Sequence, residues 1–150
     1  MSQPPSSAAG PTPAYPGQRL GLPEHGPGSV AGWGRRFAAL AVDWVASSLA
    51  AVALFGYEWF GDTVGQQGWV GFSPWLVFVV ERALFTAFMG GSFGQLLVRV
   101  SVVRLDGRPV DVLRALGRSV LILLVVPPLV FNSDRRGLHD LAVGTVVLQR

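Results

Sequence analysis

The sequence predicts an all-α integral membrane protein with two transmembrane helices, a third segment that is either re-entrant or spanning, and a small cytoplasmic β element. Half of the 150 residues are hydrophobic and only 14% are charged, whereas roughly 25% is usual in a soluble domain. The mean hydropathy is +0.43, and the apolar residues are gathered in long blocks. There are no cysteines, which excludes disulfides, thiolate metal sites and cysteine nucleophiles.

Residues 1–32 are predicted to form a disordered cytoplasmic tail that precedes a membrane domain over residues 33–150. Seven prolines, six glycines and four serines make up more than half of this stretch. It has almost no large apolar residue and so cannot bury a core. It also lacks the basic and apolar regions of a cleavable signal peptide. The first hydrophobic helix is therefore expected to direct the chain to the membrane.

Two apolar blocks predict transmembrane helices. The first, Phe37–Gly56, has about 20 residues and a helical length of roughly 30 Å, the thickness of a bilayer core. The second runs from Phe72 to Met89. Trp59, Trp69 and Trp75 lie near the helix ends that flank the first loop, where an interfacial belt of aromatic residues is expected.

The arginines predict the orientation of these helices. Arg35 and Arg36 precede the first helix, the loop from Tyr57 to Ser73 contains no basic residue, and the connection 90–119 contains five arginines. Because positively charged residues accumulate on the cytoplasmic side, the N-terminus and the second connection are predicted to be cytoplasmic. The position of the arginines beside apolar segments favours lipid headgroups over nucleic acid as their partner.

The third apolar block, Val120–Phe131, is predicted to be either re-entrant or spanning. A dozen residues are few for a span, and Pro127-Pro128 interrupts them. A span would also place Arg135 and Arg136 outside, against the charge rule.

Strand-like segments favour a return to the cytoplasmic side. Val98–Val110 is predicted to form a hairpin around Asp106-Gly107, a pair suited to a tight turn. Residues 144–150 are a candidate third strand, which can pair only on the same side of the membrane.

Three ionisable residues, Asp43, Glu81 and Arg82, lie inside the two apolar helices. Each costs about 2.5–3.5 kcal/mol at the centre of a membrane helix, so partners are expected. Small residues such as Ala39 and Ser47 beside Asp43 predict a close helix contact on that face. Asp43 and Arg82 lie at matching depth in antiparallel helices, which predicts an ion pair. Glu81 points about 100° away, toward another helix, another subunit or water.

The motifs that carry these residues resemble the RDD family of small bacterial membrane proteins. Arg36 and Asp43, with six residues between them, and Asp140 in "DRRGLHDLAVGTVVL" correspond to the arginine and two aspartates for which the family is named. The segment "GGSFGQLLVRVSVVRLDGRPV" is similar to its glycine-rich stretch and following strand, and the resemblance covers residues 34–148. Gln95 stands where the family usually has a lysine. The resemblance implies a bacterial cell membrane protein, for whose family transport, including cation/proton exchange, has been suggested.

Other motifs do not support an enzyme. His139-Asp140 would need further ligands to hold a metal, and the other histidine, His25, lies in the tail. Asp140 is instead expected to cap the local backbone or to pair with an arginine: Arg36, Arg135 or Arg136. The segment "GGSFGQ" lacks the ending of a phosphate-binding Walker loop, and Gly90 and Gly94 within it predict close backbone approach. No catalytic residue, cofactor or metal is expected.

Two functional hypotheses follow from the charges. In the leading one, Asp43, Glu81 and Arg82 line a pathway for an ion or small solute, since ionisable residues within membranes are commonly functional. In the alternative, the protein is a non-transporting scaffold or accessory subunit, and the same charges hold helices or a partner together. Two or three helices cannot readily enclose a pore, so a homo-oligomer or a partner membrane protein is expected in the lipid bilayer.

Overall fold

The computed structural model describes residues 13–60, 68–124, 132 and 134–150. Two long helices, α1 (Trp33–Phe55) and α2 (Ser73–Met89), pack against each other. With the 3-10 turn that precedes it, α2 forms an apolar stretch over Gly68–Met89. This stretch and α1 have mean hydropathies of 1.4 and 1.9, and both are long and apolar enough to cross a membrane. The two apolar helices predicted from the sequence are thereby confirmed.

Local sequence signals set the limits of both helices. Pro74 lies in the first turn of α2, where its missing N–H costs no hydrogen bond. Gly56 and Gly90 end α1 and α2 in the left-handed conformation, with φ of 67° and 73°. Glycine adopts this conformation without the steric cost that a Cβ brings, so both helices end where a glycine permits the chain to turn.

Two further helices follow α2 along the chain. The short α3 (Phe93–Leu97) begins at a capping box in which the Ser92 hydroxyl and the Gln95 side chain each bind the other's backbone N–H. Helix α4 (Val112–Leu123) is capped by Asp111, whose carboxylate accepts the Arg114 N–H at 2.9 Å, and it packs against α2.

Helix α4 includes only the first residues of the third apolar block. It begins at Val112, and its buried residues repeat at helical spacing, which makes it amphipathic. Residues 125–131 of the block lie outside the described residues. The choice between a re-entrant and a spanning segment therefore stays a prediction.

The β element is an antiparallel pair of strands, β1 (Val100–Arg104) and β2 (Thr145–Gln149). The predicted C-terminal strand is confirmed, but the predicted hairpin is wrong because β1 pairs with β2, with Val102 opposite Val147. The turn at Gly107 does form, with φ of 73°. Pro109 beyond it cannot donate to a ladder, and Asp111 caps α4, so the chain leaves the sheet.

The stretch just before α1 pairs with the other edge of β2. Ala31 donates its N–H to Val147 at 2.9 Å, Gly28 donates to Gln149, and Val30 forms a bridge with Leu148. Gly28–Ala31 belong to the segment predicted to be a disordered tail, yet Ser29, Val30 and Ala31 are buried. The packed region thus begins before α1. The amino-acid composition of this segment does not reveal its pairing with β2, because the hydrogen bonds are made by backbone groups.

Small apolar residues form a core where the sheet meets the helices. A short helix, α5 (Leu138–Ala142), lies between α4 and β2 and contacts both. The outer faces of α1 and α2, by contrast, expose many large apolar side chains. They include Phe37, Val45, Leu49, Leu54, Leu76, Leu84 and Phe88. Such extensive apolar surface is typical of contact with lipid or another protein.

Candidate functional site

Asp43 is the centre of a buried polar group that joins α1, α2 and the start of α3. The Arg82 guanidinium forms an ion pair with Asp43 Oδ2, which confirms the pair predicted from their matching depth. Asp43 Oδ2 also accepts the Ser92 hydroxyl at 2.6 Å, and Oδ1 accepts the Gly94 N–H at 2.5 Å. Asp43 is 0% exposed and Arg82 is 1% exposed. We call these four residues the Asp43 cluster.

The glycine-rich segment after α2 is shaped to reach Asp43. A Cβ at position 94 would overlap the carbonyl oxygen of Ala39 and would lie 2.8 Å from Asp43 Oδ1. Only glycine lets α3 approach α1 so closely. The close approach expected at Gly94 is therefore confirmed.

The capping box holds the donors of this segment in place. Gln95 is buried and accepts the Ser92 N–H through Oε1 at 3.0 Å. Sequence reasoning did not identify Ser92 and Gly94 as partners of Asp43. Two features of the sequence could have indicated this contact. A buried acid needs hydrogen-bond donors, and a Gly-x-Ser-x-Gly segment can supply them.

Glu81 does not share this cluster with its neighbour Arg82. Its Oε1 accepts the Phe93 N–H at 2.8 Å, so it contacts the start of α3. Of the three directions left open by the sequence, the described residues show a contact with another helix of the same chain. The structure therefore brings Asp43 and Arg82 together and directs Glu81 elsewhere.

A second buried group surrounds Asp140. The Arg36 Nη1 atom donates to Asp140 Oδ2 at 3.1 Å, and Arg118 Nε donates to Oδ1 at 2.9 Å. The Thr145 hydroxyl donates to Oδ1 at 3.2 Å. These four residues, the Asp140 cluster, connect α1, α4, α5 and β2. Arg36, one of the predicted partners, is confirmed.

Two other basic residues, His139 and Arg136, lie against this cluster. His139 Nε2 is 3.5 Å from Asp140 Oδ1. Arg136, another predicted partner, donates to the backbone carbonyls of Asp140 and Thr145 at 3.4 Å and 2.9 Å rather than to a carboxylate. No side chain caps α5 within the described residues, so of the two roles expected for Asp140, a cap or an ion pair with an arginine, the structure shows the ion pair.

The surroundings of Asp140 favour its ionised form. Burial by itself raises its pKa, but the neighbouring Arg118, His139 and Arg36 lower it more strongly, to about 2. A carboxylate with this pKa is charged throughout the physiological range and acts as a permanent ion-pair partner, not as a group that exchanges protons.

Arg118 is a member of the site that sequence reasoning missed. It lies on the buried face of α4 with Ala115, Ser119 and Ile122 and is 2% exposed. A charged residue on the apolar face of an amphipathic helix needs a buried partner. Its position on the helical wheel of α4 could therefore have identified Arg118 from the sequence.

Among the described residues there is no group of three or more His, Cys, Asp or Glu side chains that could hold a metal ion. The polar groups at both clusters are ion pairs and hydrogen bonds within the chain.

A family model described as the RDD family matches residues 30–144, which include Arg36, Asp43 and Asp140. No curated protein and no solved structure matches the chain.

Proposed function

This chain belongs to the RDD family, and we propose that it is a non-enzymatic scaffold or accessory subunit of the bacterial cell membrane. Two apolar helices long enough to cross a bilayer support the membrane location. The arginine distribution supports a cytoplasmic N-terminus. The observation that carries the scaffold role is the complete engagement of Asp43 within the chain.

Both oxygens of the Asp43 carboxylate are occupied by donors from the same chain. Gly94 binds Oδ1, and Arg82 and Ser92 bind Oδ2, with no exposed surface left. A carboxylate that passes ions must exchange its partners with the solute. Leaving one member of a buried pair unpaired costs about 3–5 kcal/mol, so this arrangement favours a fixed structural contact.

The Asp140 cluster supports the same interpretation. Arg36, Asp43 and Asp140, the residues of the family signature, all lie in buried ion pairs between elements that are distant in the sequence. They fix α1 relative to α2, α4 and α5. The outer apolar faces of α1 and α2 are then presented in one orientation, to lipid and to a second copy or a partner membrane protein.

Pairing of β1 with β2 supports a C-terminus on the same side as the connection after α2. We therefore favour a re-entrant over a spanning third segment. Because the chain has no native cysteine, labelling of single-cysteine variants tests this directly. Arg108→Cys and Arg150→Cys should react with an impermeant maleimide from one side, and Glu58→Cys from the other. Labelling of Arg108→Cys and Arg150→Cys from opposite sides would contradict the topology.

Transport of an ion or small solute is the second candidate, with Glu81 beside the Asp43–Arg82 pair. One observation favours it. The Glu81 Oε2 atom is buried and has no hydrogen-bond partner among the described residues. A carboxylate oxygen in this state has capacity for a proton or a cation.

One comparison separates the two candidates. Asp43→Asn and Glu81→Gln are purified in nanodiscs, and native mass is measured beside wild type. Ion flux is then followed in proteoliposomes with a pH-sensitive dye. A scaffold predicts that Asp43→Asn loses the protein or its assembly and that no variant changes flux. Transport predicts that Glu81→Gln keeps the native mass and abolishes a wild-type flux, an outcome that would overturn the scaffold proposal.

A further inference from the structure

A small cavity lies between the Asp43 cluster and the Asp140 cluster. Its volume is about 30 Å³, and its polar wall includes the side chains of Arg36, Arg82 and Arg118. These three arginines are 8%, 1% and 2% exposed. Three buried guanidinium groups from three different helices thus line one space.

Two of the arginines that line this cavity each have a guanidinium nitrogen without an acceptor among the described residues. Arg36 Nη2 and Arg82 Nε are buried and have no hydrogen-bond partner in the part of the chain that the structure describes. A buried donor without an acceptor is costly, and more so when it belongs to a charged group. Both residues line the cavity, so an acceptor placed there lies beside both side chains.

The charge around the cavity is also unbalanced. The three arginines pair with only two carboxylates, because Asp140 is shared between Arg36 and Arg118 and Asp43 pairs with Arg82. Within these ion pairs one positive charge is in excess, and Glu81, next to Arg82 in the chain, does not line the cavity. A buried charge requires a counter-charge, so the missing group is an anion.

Apart from Gln95 and His139, the rest of the lining is apolar, and it reaches the surface of α1. Trp33, Phe37 and Leu40 lie along the first turns of the helix, and Phe37 is 52% exposed. The cavity itself has about the volume that one water molecule occupies in the liquid. An anion larger than a water molecule would therefore place one oxygen in the cavity and its remaining atoms against the apolar rim.

We propose that this cavity binds the phosphate group of an anionic membrane lipid, with Arg36 and Arg82 as the donors. Basic pockets between membrane helices on the cytoplasmic side bind lipid headgroups in this way. Inorganic phosphate presents the same oxygens without an acyl chain and is the other source of this chemistry. The site is independent of whether the protein is a scaffold or a transporter.

Binding is measured on the full chain purified in a nonionic detergent. Phosphatidylglycerol, phosphatidylcholine and inorganic phosphate are titrated separately at constant ionic strength. The thermal unfolding midpoint reports binding, and native mass spectrometry counts retained lipids. We expect a saturable rise in the midpoint and one retained molecule with phosphatidylglycerol, and neither effect with phosphatidylcholine.

Two variants with matched controls locate the site. Arg36→Lys keeps the charge that faces Asp140 but removes the Nη2 donor, and Arg35→Lys makes the same change on a neighbouring exposed arginine. Leu40→Phe adds bulk at the cavity, and Leu49→Phe does so on a face of α1 away from it. Arg36→Lys and Leu40→Phe should raise the phosphatidylglycerol concentration for half-maximal effect roughly tenfold or more. The controls should match wild type.

The outcomes distinguish the sources of the anion. Inorganic phosphate could raise the unfolding midpoint as much as phosphatidylglycerol does, and Leu40→Phe could abolish this rise. That result would support the anion site but replace the lipid by a free anion as the ligand. No response to either probe would overturn the proposal. A phosphatidylglycerol response that Leu40→Phe leaves unchanged would also overturn it, even if Arg36→Lys fails to fold.

Discussion

Replacement of Asp43 by asparagine should destabilise the protein more than any surface substitution. Asparagine has nearly the same shape but carries no charge and has one acceptor oxygen instead of two. The change leaves Arg82, which is 1% exposed, without its counter-ion. It also removes an acceptor from either the Ser92 hydroxyl or the Gly94 N–H.

The geometry sets the expected magnitude. Breaking a buried ion pair from one side costs about 3–5 kcal/mol. For a domain of this size, each kcal/mol lowers the unfolding midpoint by roughly 2–4 °C, so the total fall should be roughly 6–20 °C. Arg82→Gln should cost a similar amount. The double variant Asp43→Asn/Arg82→Gln should be less unstable than the sum of the single changes, because no unpaired charge stays buried.

The assay is thermal unfolding of detergent-solubilised protein, followed by tryptophan fluorescence, together with native mass. Asp106→Asn is the matched control because Asp106 pairs with Arg104 at an exposed position, where ion pairs contribute little. An Asp43→Asn variant with the wild-type midpoint and native mass would refute the structural role assigned to this residue. Strictly additive effects in the double variant would refute the direct pairing.

Three further predictions concern other contacts. Gly94→Ala should prevent folding or cost several kcal/mol, because its Cβ would overlap the α1 backbone. Gly117→Ala, where nothing lies within 4 Å, should stabilise α4 by up to about 1 kcal/mol. Equal unfolding midpoints for these two variants would contradict the packing of α3.

The lowered pKa of Asp140, from its usual 3.8 to about 2, makes the folded state more stable above about pH 4. This contribution, about 2 kcal/mol, should be lost as the pH falls toward 2. Urea unfolding across this range should show a smaller acid dependence in Asp140→Asn than in wild type, and parallel profiles would contradict the assignment. Arg118→Met should lower the unfolding midpoint strongly because Asp140 loses a buried partner, whereas Arg114→Met at a half-exposed pair should not. Similar midpoints for both variants would show that the Arg118 contact is not important.

The features that sequence reasoning predicted are those encoded locally. The length and hydropathy of two apolar blocks determine two helices, since each block satisfies its own backbone hydrogen bonds. The Asp43–Arg82 pair was predictable for a related reason. In two neighbouring antiparallel helices, the depth of each residue in the membrane follows from counting residues from the helix ends. Both charges also require a partner.

The features that it missed depend on contacts between distant segments. The pairing of Arg36 with Asp140 spans 104 residues, and spacing alone left three arginines as candidates. Arg118 belongs to the site because the buried face of α4 lies against α5. The partner of β1 was likewise decided by the path of the chain, since the nearer segment had to cap α4 and could not continue as a strand.

The sequence by itself therefore determined the membrane class, the two apolar helices and the need of their charges for partners. The tertiary structure alone decided which arginines pair with Asp140 and which group Glu81 contacts, and it placed three arginines around one cavity whose ion pairs use two carboxylates. The physical reason is that hydropathy and helix length are sums over neighbouring residues. A buried ion pair depends instead on how separate elements pack, and no local sequence pattern specifies this packing.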